Sequence, residues 1–304
     1  MSIAVCVNVN DGVVLAADSA ATVFFPQVGA KVYDNACKIA NLHRDLPLGA
    51  VSTGLGGIGR KSMAMLMKEF RAALMGQLDV GGVKALDPER YTIDGVAHQL
   101  QSFVEAELAT AGAPAAKEAG HAIEFVIAGQ PGALSGSGAS LQVWGYSVRP
   151  GETGAVTRQD EGPMIKCLGV PEWVGRLLTG VSPGFEAAAV ELGLNQGEAH
   201  RIAEGARARL AAPILHPAMP LMDAIALARF LVNVSVEFQR LLPNAPIVGG
   251  PVEIAAITRF EGFVWVSRKH YYSVEFNPAE VPHDHRPVPH RDGRAPAVGD
   301  TDGH

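Results

Sequence analysis

The chain opens on a nearly unbroken apolar run, Ile3-Ala4-Val5-Cys6-Val7-Asn8-Val9, turns at Asn10-Asp11-Gly12, and continues through Val13-Val14-Leu15-Ala16-Ala17 to Asp18 and Ser19. Two such runs around an Asn-Asp-Gly turn predict a β-hairpin over the first 18 or so residues. A loop containing Pro26 and Gly29 follows. Residues 37–42 and 48–53 then read as a second strand pair across the polar turn His43-Arg44-Asp45. After Gly54-Leu55-Gly56-Gly57 the period changes. Ile58, Met63, Met65, Leu66, Met67, Phe70 and Leu74 recur at helical spacing and predict a helix that ends at Gly76, its methionine stripe serving as core. A second helix is expected over 93–109, with Val96, Leu100, Phe103, Val104 and Leu108 on its apolar face.

Strands return at 123–128 and 141–148, separated by a Gly/Ser loop, and a shorter strand pair is expected around 154–157 and 164–168. The later third is helical: 173–178, 185–192, 197–210 behind a helix-opening Asn195, and 221–242. A last strand pair, 252–257 and 263–267, closes around Glu261-Gly262. Paired antiparallel strands interrupted by paired helices point to an α+β fold in which two stacked sheets carry helices outside, a four-layer α-β-β-α sandwich. The expected domain spans 1–276, with a helical insertion near 185–212. From Asn277 the chain turns polar, holds five prolines, and is expected to be a disordered tail over 277–304.

Composition narrows the function classes. With 304 residues, 48% of them hydrophobic and 18% charged, the chain is long enough to bury a large core. A net charge of −6 supplies no basic footprint for nucleic acid. No run of about 18 apolar residues spans a membrane and no signal-like segment opens the chain, so the expected location is cytoplasmic. The 3 cysteines, Cys6, Cys37 and Cys167, lie far apart within apolar stretches and read as buried thiols of a reducing compartment. His283, His285, His290 and His304 in the tail lack a preorganised carboxylate or Cys partner for a structural metal.

Two stretches carry candidate chemistry. Gly54-Leu55-Gly56-Gly57-Ile58-Gly59 matches G-x-G-x-x-G between a predicted strand and helix, the context of dinucleotide binding. The match fails further on, because the helix leads into Asp79-Val80-Gly81-Gly82-Val83-Lys84 rather than a second apolar parallel strand, and Arg60 breaks phosphate-loop spacing. Ser2 is the stronger candidate. A hydroxyl residue at a chain terminus can be its own nucleophile and base, because the free α-amine, with a pKa of about 7.7–8, accepts the side-chain proton near neutral pH.

The hairpin from Ser2 to Ser19 with Gly12-Val13-Val14-Leu15-Ala16-Ala17-Asp18-Ser19 as its second half, then Cys37-Lys38-Ile39, then Ser52-Thr53-Gly54 before a long helix, resembles proteasome β-subunits and their bacterial ring-forming relatives. These are N-terminal-nucleophile (Ntn) hydrolases. The likeness is clearest over the first 75 or so residues and returns at Val248-Gly249-Gly250-Pro251-Val252-Glu253-Ile254. It implies Ser2 as nucleophile once Met1 is removed, Asp18 and Lys38 as the charged pair beside its hydroxyl, and the Gly54 N–H as oxyanion donor. It further implies a peptide or small-amide substrate, no metal or organic cofactor, and a homo-oligomeric ring, and leaves an ATP-dependent unfoldase open as a partner. The chain departs from the family at several places. Ser2 stands for the usual Thr and lacks the methyl that restricts its rotamer, Ala20 stands where an Arg is usual, and Asn244 or Ala245 and Val248 stand where supporting Asp and Ser are usual. A catalytically inactive assembly subunit is therefore the alternative reading.

Overall fold

Strands β1 (Ile3–Val9) and β2 (Gly12–Ala17) form the predicted hairpin, and every residue of both is buried. That explains the unbroken apolar run: a strand covered on both faces has no polar side to alternate with. A computed structural model describes residues 2–25, 29–111, 122–138, 140–159, 162–243 and 247–269. The expected boundary at 276, the tail and its histidines lie outside the described residues.

The remaining strands are β3 (Ala21–Phe25), β4 (Gly29–Tyr33), β5 (Ile39–Asn41), β6 (Leu48–Thr53), β7 (Gly57–Ile58), β8 (Lys61–Ser62), β9 (Ile123–Gly129), β10 (Gln142–Val148), β11 (Ala155–Arg158), β12 (Met164–Gly169), β13 (Glu253–Thr258) and β14 (Gly262–Ser267). One five-stranded sheet runs β12-β1-β2-β13-β14 and a second runs β11-β10-β9-β6-β5. Every pairing among the described residues is antiparallel, which places the chain in the α+β class and removes the parallel βαβ unit that dinucleotide binding at Gly54–Gly59 would need.

The helices are α1 (Met63–Leu74), α2 (Ile93–Ala111), α3 (Glu172–Thr179), α4 (Phe185–Glu191), α5 (Gln196–Leu210) and α6 (Leu221–Leu241). Alternation along β1 and β2 sorts their side chains. Ile3, Val5, Val7, Val14 and Ala16 pack with Ala224, Ala228, Leu231 and Val232 of α6. Ala4, Cys6, Val13, Leu15 and Ala17 pack the other way, against Val51, Val126, Ala128 and Val143 of the second sheet. That sheet turns its opposite face, with Phe125, Ile127 and Tyr146, to Leu66 and Phe70 of α1 and Leu100 and Phe103 of α2. Its inter-sheet alanines are small enough to let the two sheets close on each other.

Three expectations need correction. The loop with Pro26 and Gly29 carries a two-stranded ribbon, β3 with β4. The first helix begins at Met63, where the Ser62 hydroxyl accepts the Met65 N–H at 3.2 Å; Ile58 belongs instead to the β7–β8 ribbon ahead of it. The strands expected as a pair near 155 and 165 do not pair. β11 joins β10 and β12 joins β1, so the chain crosses from one sheet to the other between them.

Candidate active site

Ser2 directly precedes β1, is buried, and its carbonyl accepts the Val170 N–H at 2.9 Å. Continuing the alternation of β1 puts its side chain on the face of Ala4 and Cys6, toward the space between the sheets. The next residue fixes the site. Ile3 donates its N–H to Asp18 Oδ1 at 3.0 Å, while the Asp18 N–H returns to the Ile3 carbonyl at 3.2 Å.

Asp18 follows the end of β2 and is almost fully buried, a costly place for a carboxylate unless its lone pairs are filled. They are filled. Oδ1 takes the Lys38 ammonium as well as the Ile3 N–H, and Oδ2 takes the Ala20 N–H at 3.1 Å and the Gly249 N–H at 3.0 Å. Lys38, just before β5, is itself only 8% exposed. Burial pushes its ammonium below the ordinary lysine value, and the Asp18 charge works against that depression. The Lys38 carbonyl is held by the Ser52 N–H at 2.9 Å, which ties the lysine to β6. Asp18 thus joins Lys38 to Ile3, the residue next to Ser2.

Gly54 leaves β6 with a φ of +99°, and a Cβ there would overlap the Ala122 carbonyl, so the backbone alone demands glycine. It lies on Ser2's side of the fold: Gly169, which would meet the Ser2 carbonyl with any Cβ, has the Thr53 side chain as its other neighbour.

Several residues around the site carried no signal in the sequence. Lys269 reaches the Ser19 hydroxyl, the Ala36 carbonyl at 2.6 Å and the Glu253 carboxylate at 3.3 Å, forming a second buried ion pair. A cation therefore reaches Ser19 from just beyond the end of β14. The Ser19 N–H also bonds the Gly249 carbonyl at 2.8 Å, so Gly249 clasps both Asp18 and Ser19. Val248, in place of a supporting hydroxyl, packs among the apolar residues under α6. Asn244 and Ala245 lie outside the described residues. Glu124 accepts hydrogen bonds from Thr53 Oγ1 at 3.3 Å and the Gly169 N–H at 3.0 Å.

No protein-family model matches the chain, and no curated protein does. Among solved structures it is similar to Anbu (ancestral beta-subunit) from Yersinia bercovieri, at 12% identity over 88% of each chain and a TM-score of 0.49. At that distance the chemistry has to come from this chain's own side chains. Among the described residues no group of three His, Cys, Asp or Glu side chains could hold a metal, and no helix is long and apolar enough to cross a membrane. No disulfide joins the cysteines; burial pushes the Cys6 and Cys167 thiols up to about 12, which leaves them poor nucleophiles.

Proposed function

We propose that the chain is an Ntn amide or peptide hydrolase of the proteasome-like kind, built as the four-layer α-β-β-α sandwich, with Ser2 as nucleophile once Met1 is removed. The observation that carries this reading is the buried Asp18 carboxylate, which holds the Ile3 N–H and the Lys38 ammonium on one oxygen. A fold gains little from desolvating an ion pair where an apolar pair would pack as well. Beside a serine that can carry a free amine, the same pair has a use.

In this mechanism the α-amine takes the proton of the Ser2 hydroxyl as its oxygen attacks the substrate carbonyl. The Lys38 ammonium lowers the cost of the forming alkoxide, and Asp18 fixes that ammonium in place. The Gly54 N–H faces the developing oxyanion. Collapse breaks the amide bond, the protonated α-amine gives its proton to the leaving amine, and the acyl group remains as an ester on Ser2. Water activated by the same amine then releases the acid. The active form is a homo-oligomeric ring, and the substrate is a peptide or small amide.

Intact-mass measurement and N-terminal sequencing of the purified protein test the first requirement, and an uncharged β-lactone tests the second. The expected result is a chain beginning at Ser2 that is labelled there, with labelling abolished in Ser2→Ala. A retained Met1, or a free Ser2 that never labels, overturns the mechanism and favours an assembly subunit.

A further inference from the structure

We propose that Glu124 is an acidic subsite that selects substrates carrying a positively charged side chain beside the scissile amide, a reading that rests on the hydrolase function above. Along β9 the residues Ile123, Phe125 and Ile127 enter the helix-side cluster, whereas Val126 and Ala128 enter the cluster between the sheets. Glu124 shares the parity of Val126, so its carboxylate projects toward the inter-sheet space, at the end of β9 in register with Thr53. Its two donors are both neighbours of the reacting centre. Thr53 immediately precedes Gly54, and Gly169 sits in register with Ile3 and is barred from having a side chain by the Ser2 carbonyl.

Charge balance separates Glu124 from the other carboxylates of the site. Asp18 is matched by Lys38 and Glu253 by Lys269. Glu124 receives only a hydroxyl and a backbone N–H, and among the described residues no cation pairs with it. These two donors hold the carboxylate in one orientation without neutralising it. A half-buried, oriented carboxylate attracts a cation more strongly than one in open water, because screening is weaker there. The extended side chain of arginine or lysine supplies such a charge at the end of an apolar stem, which can lie along apolar surface while its charge meets the carboxylate. Guanidinium also matches a carboxylate with two parallel N–H bonds.

The test compares kcat/KM for peptides identical except for Arg, Leu or Glu before the cleaved bond, in the wild-type protein and in Glu124→Gln and Glu124→Lys. An uncharged β-lactone counts competent Ser2 sites in each. The wild type should prefer Arg, the Arg/Leu ratio should fall at least about tenfold in Glu124→Gln, and Glu124→Lys should turn the preference toward Glu. Full labelling with an unchanged ratio overturns the subsite and leaves the hydrolase reading intact. A uniform loss over all three peptides with a displaced pH profile also overturns it, since Glu124 would then act on the Ser2 amine. Absence of labelling in the wild type overturns the hydrolase reading itself, and the subsite with it. Should the variants fail to fold, agmatine must slow β-lactone labelling of the wild type while a neutral amide of equal length does not; equal effects of the two overturn the subsite.

Discussion

A buried carboxylate with four donors is a residue-scale device whose removal has a calculable cost. Lys38→Met leaves Asp18 charged, buried and without its cation, and should destabilise the protein by about 3–5 kcal/mol in urea unfolding. The double variant Asp18→Asn with Lys38→Met should be less destabilised than the single one, because no uncompensated charge remains. The depressed Lys38 value also sets a pH dependence. Labelling of Ser2 should rise as the α-amine loses its proton, near pH 8. It should fall again on the alkaline side once Lys38 deprotonates, earlier than an ordinary lysine would. Lys38→Arg, whose guanidinium stays charged throughout, should lose the alkaline fall even if its rate is lower. Ser2, Asp18, Lys38 and Gly54 entered as a candidate site through the resemblance, each at the end of a patterned strand, and of the contacts this needs the structure shows Asp18 with Lys38 and with Ile3 beside Ser2. Lys269 and Glu124 were not legible in the sequence. Lys269 meets Ser19 across 250 positions and Glu124 meets Thr53 across 71, and only the order of strands in the sheets brings such residues together.

At the scale of elements, periodicity gave the existence of nearly every helix and strand, while local chemistry decided their ends. Asn195 is the clearest case. Its side chain accepts the Glu198 N–H at 2.9 Å and Glu198 answers on the Asn195 N–H, a reciprocal cap that starts α5. Asn195→Ala should cost about 1 kcal/mol and speed amide exchange in the first turn of α5 while leaving β1 and β2 protected. The start of α1 was misjudged because Ile58 falls in phase with the helical stripe, yet Gly57 and Gly59 allow a tight ribbon that Ser62 then converts to helix. The partnership of β11 and β12 was misjudged for a different reason. Strands this short alternate alike whichever sheet they join, so their neighbours are set by packing that no local window contains.

Across the whole molecule, three apolar clusters stacked through two sheets hold the site's framework. Leu15, fully buried between the sheets, should cost about 2–5 kcal/mol on truncation to Ala, whereas Leu192, 85% exposed in the turn that ends α4, should stay within about 0.5 kcal/mol; equilibrium unfolding in urea distinguishes them. That the sheets stack was readable from the runs of strands and helices, but which face of each strand met which cluster was not, because continuous apolar runs carry no parity. The buried first hairpin also bears on how the chain is made. β1 and β2 are synthesised well ahead of the strands that close their two flanks, Leu168 opposite Ala4 and Ile254 opposite Ala16. Until those strands emerge two greasy ribbon edges stand unpaired, a sticky nascent state prone to self-association. Expression at lowered temperature, or with abundant trigger-type chaperones, should therefore raise the yield of native protein more than any change to the surface.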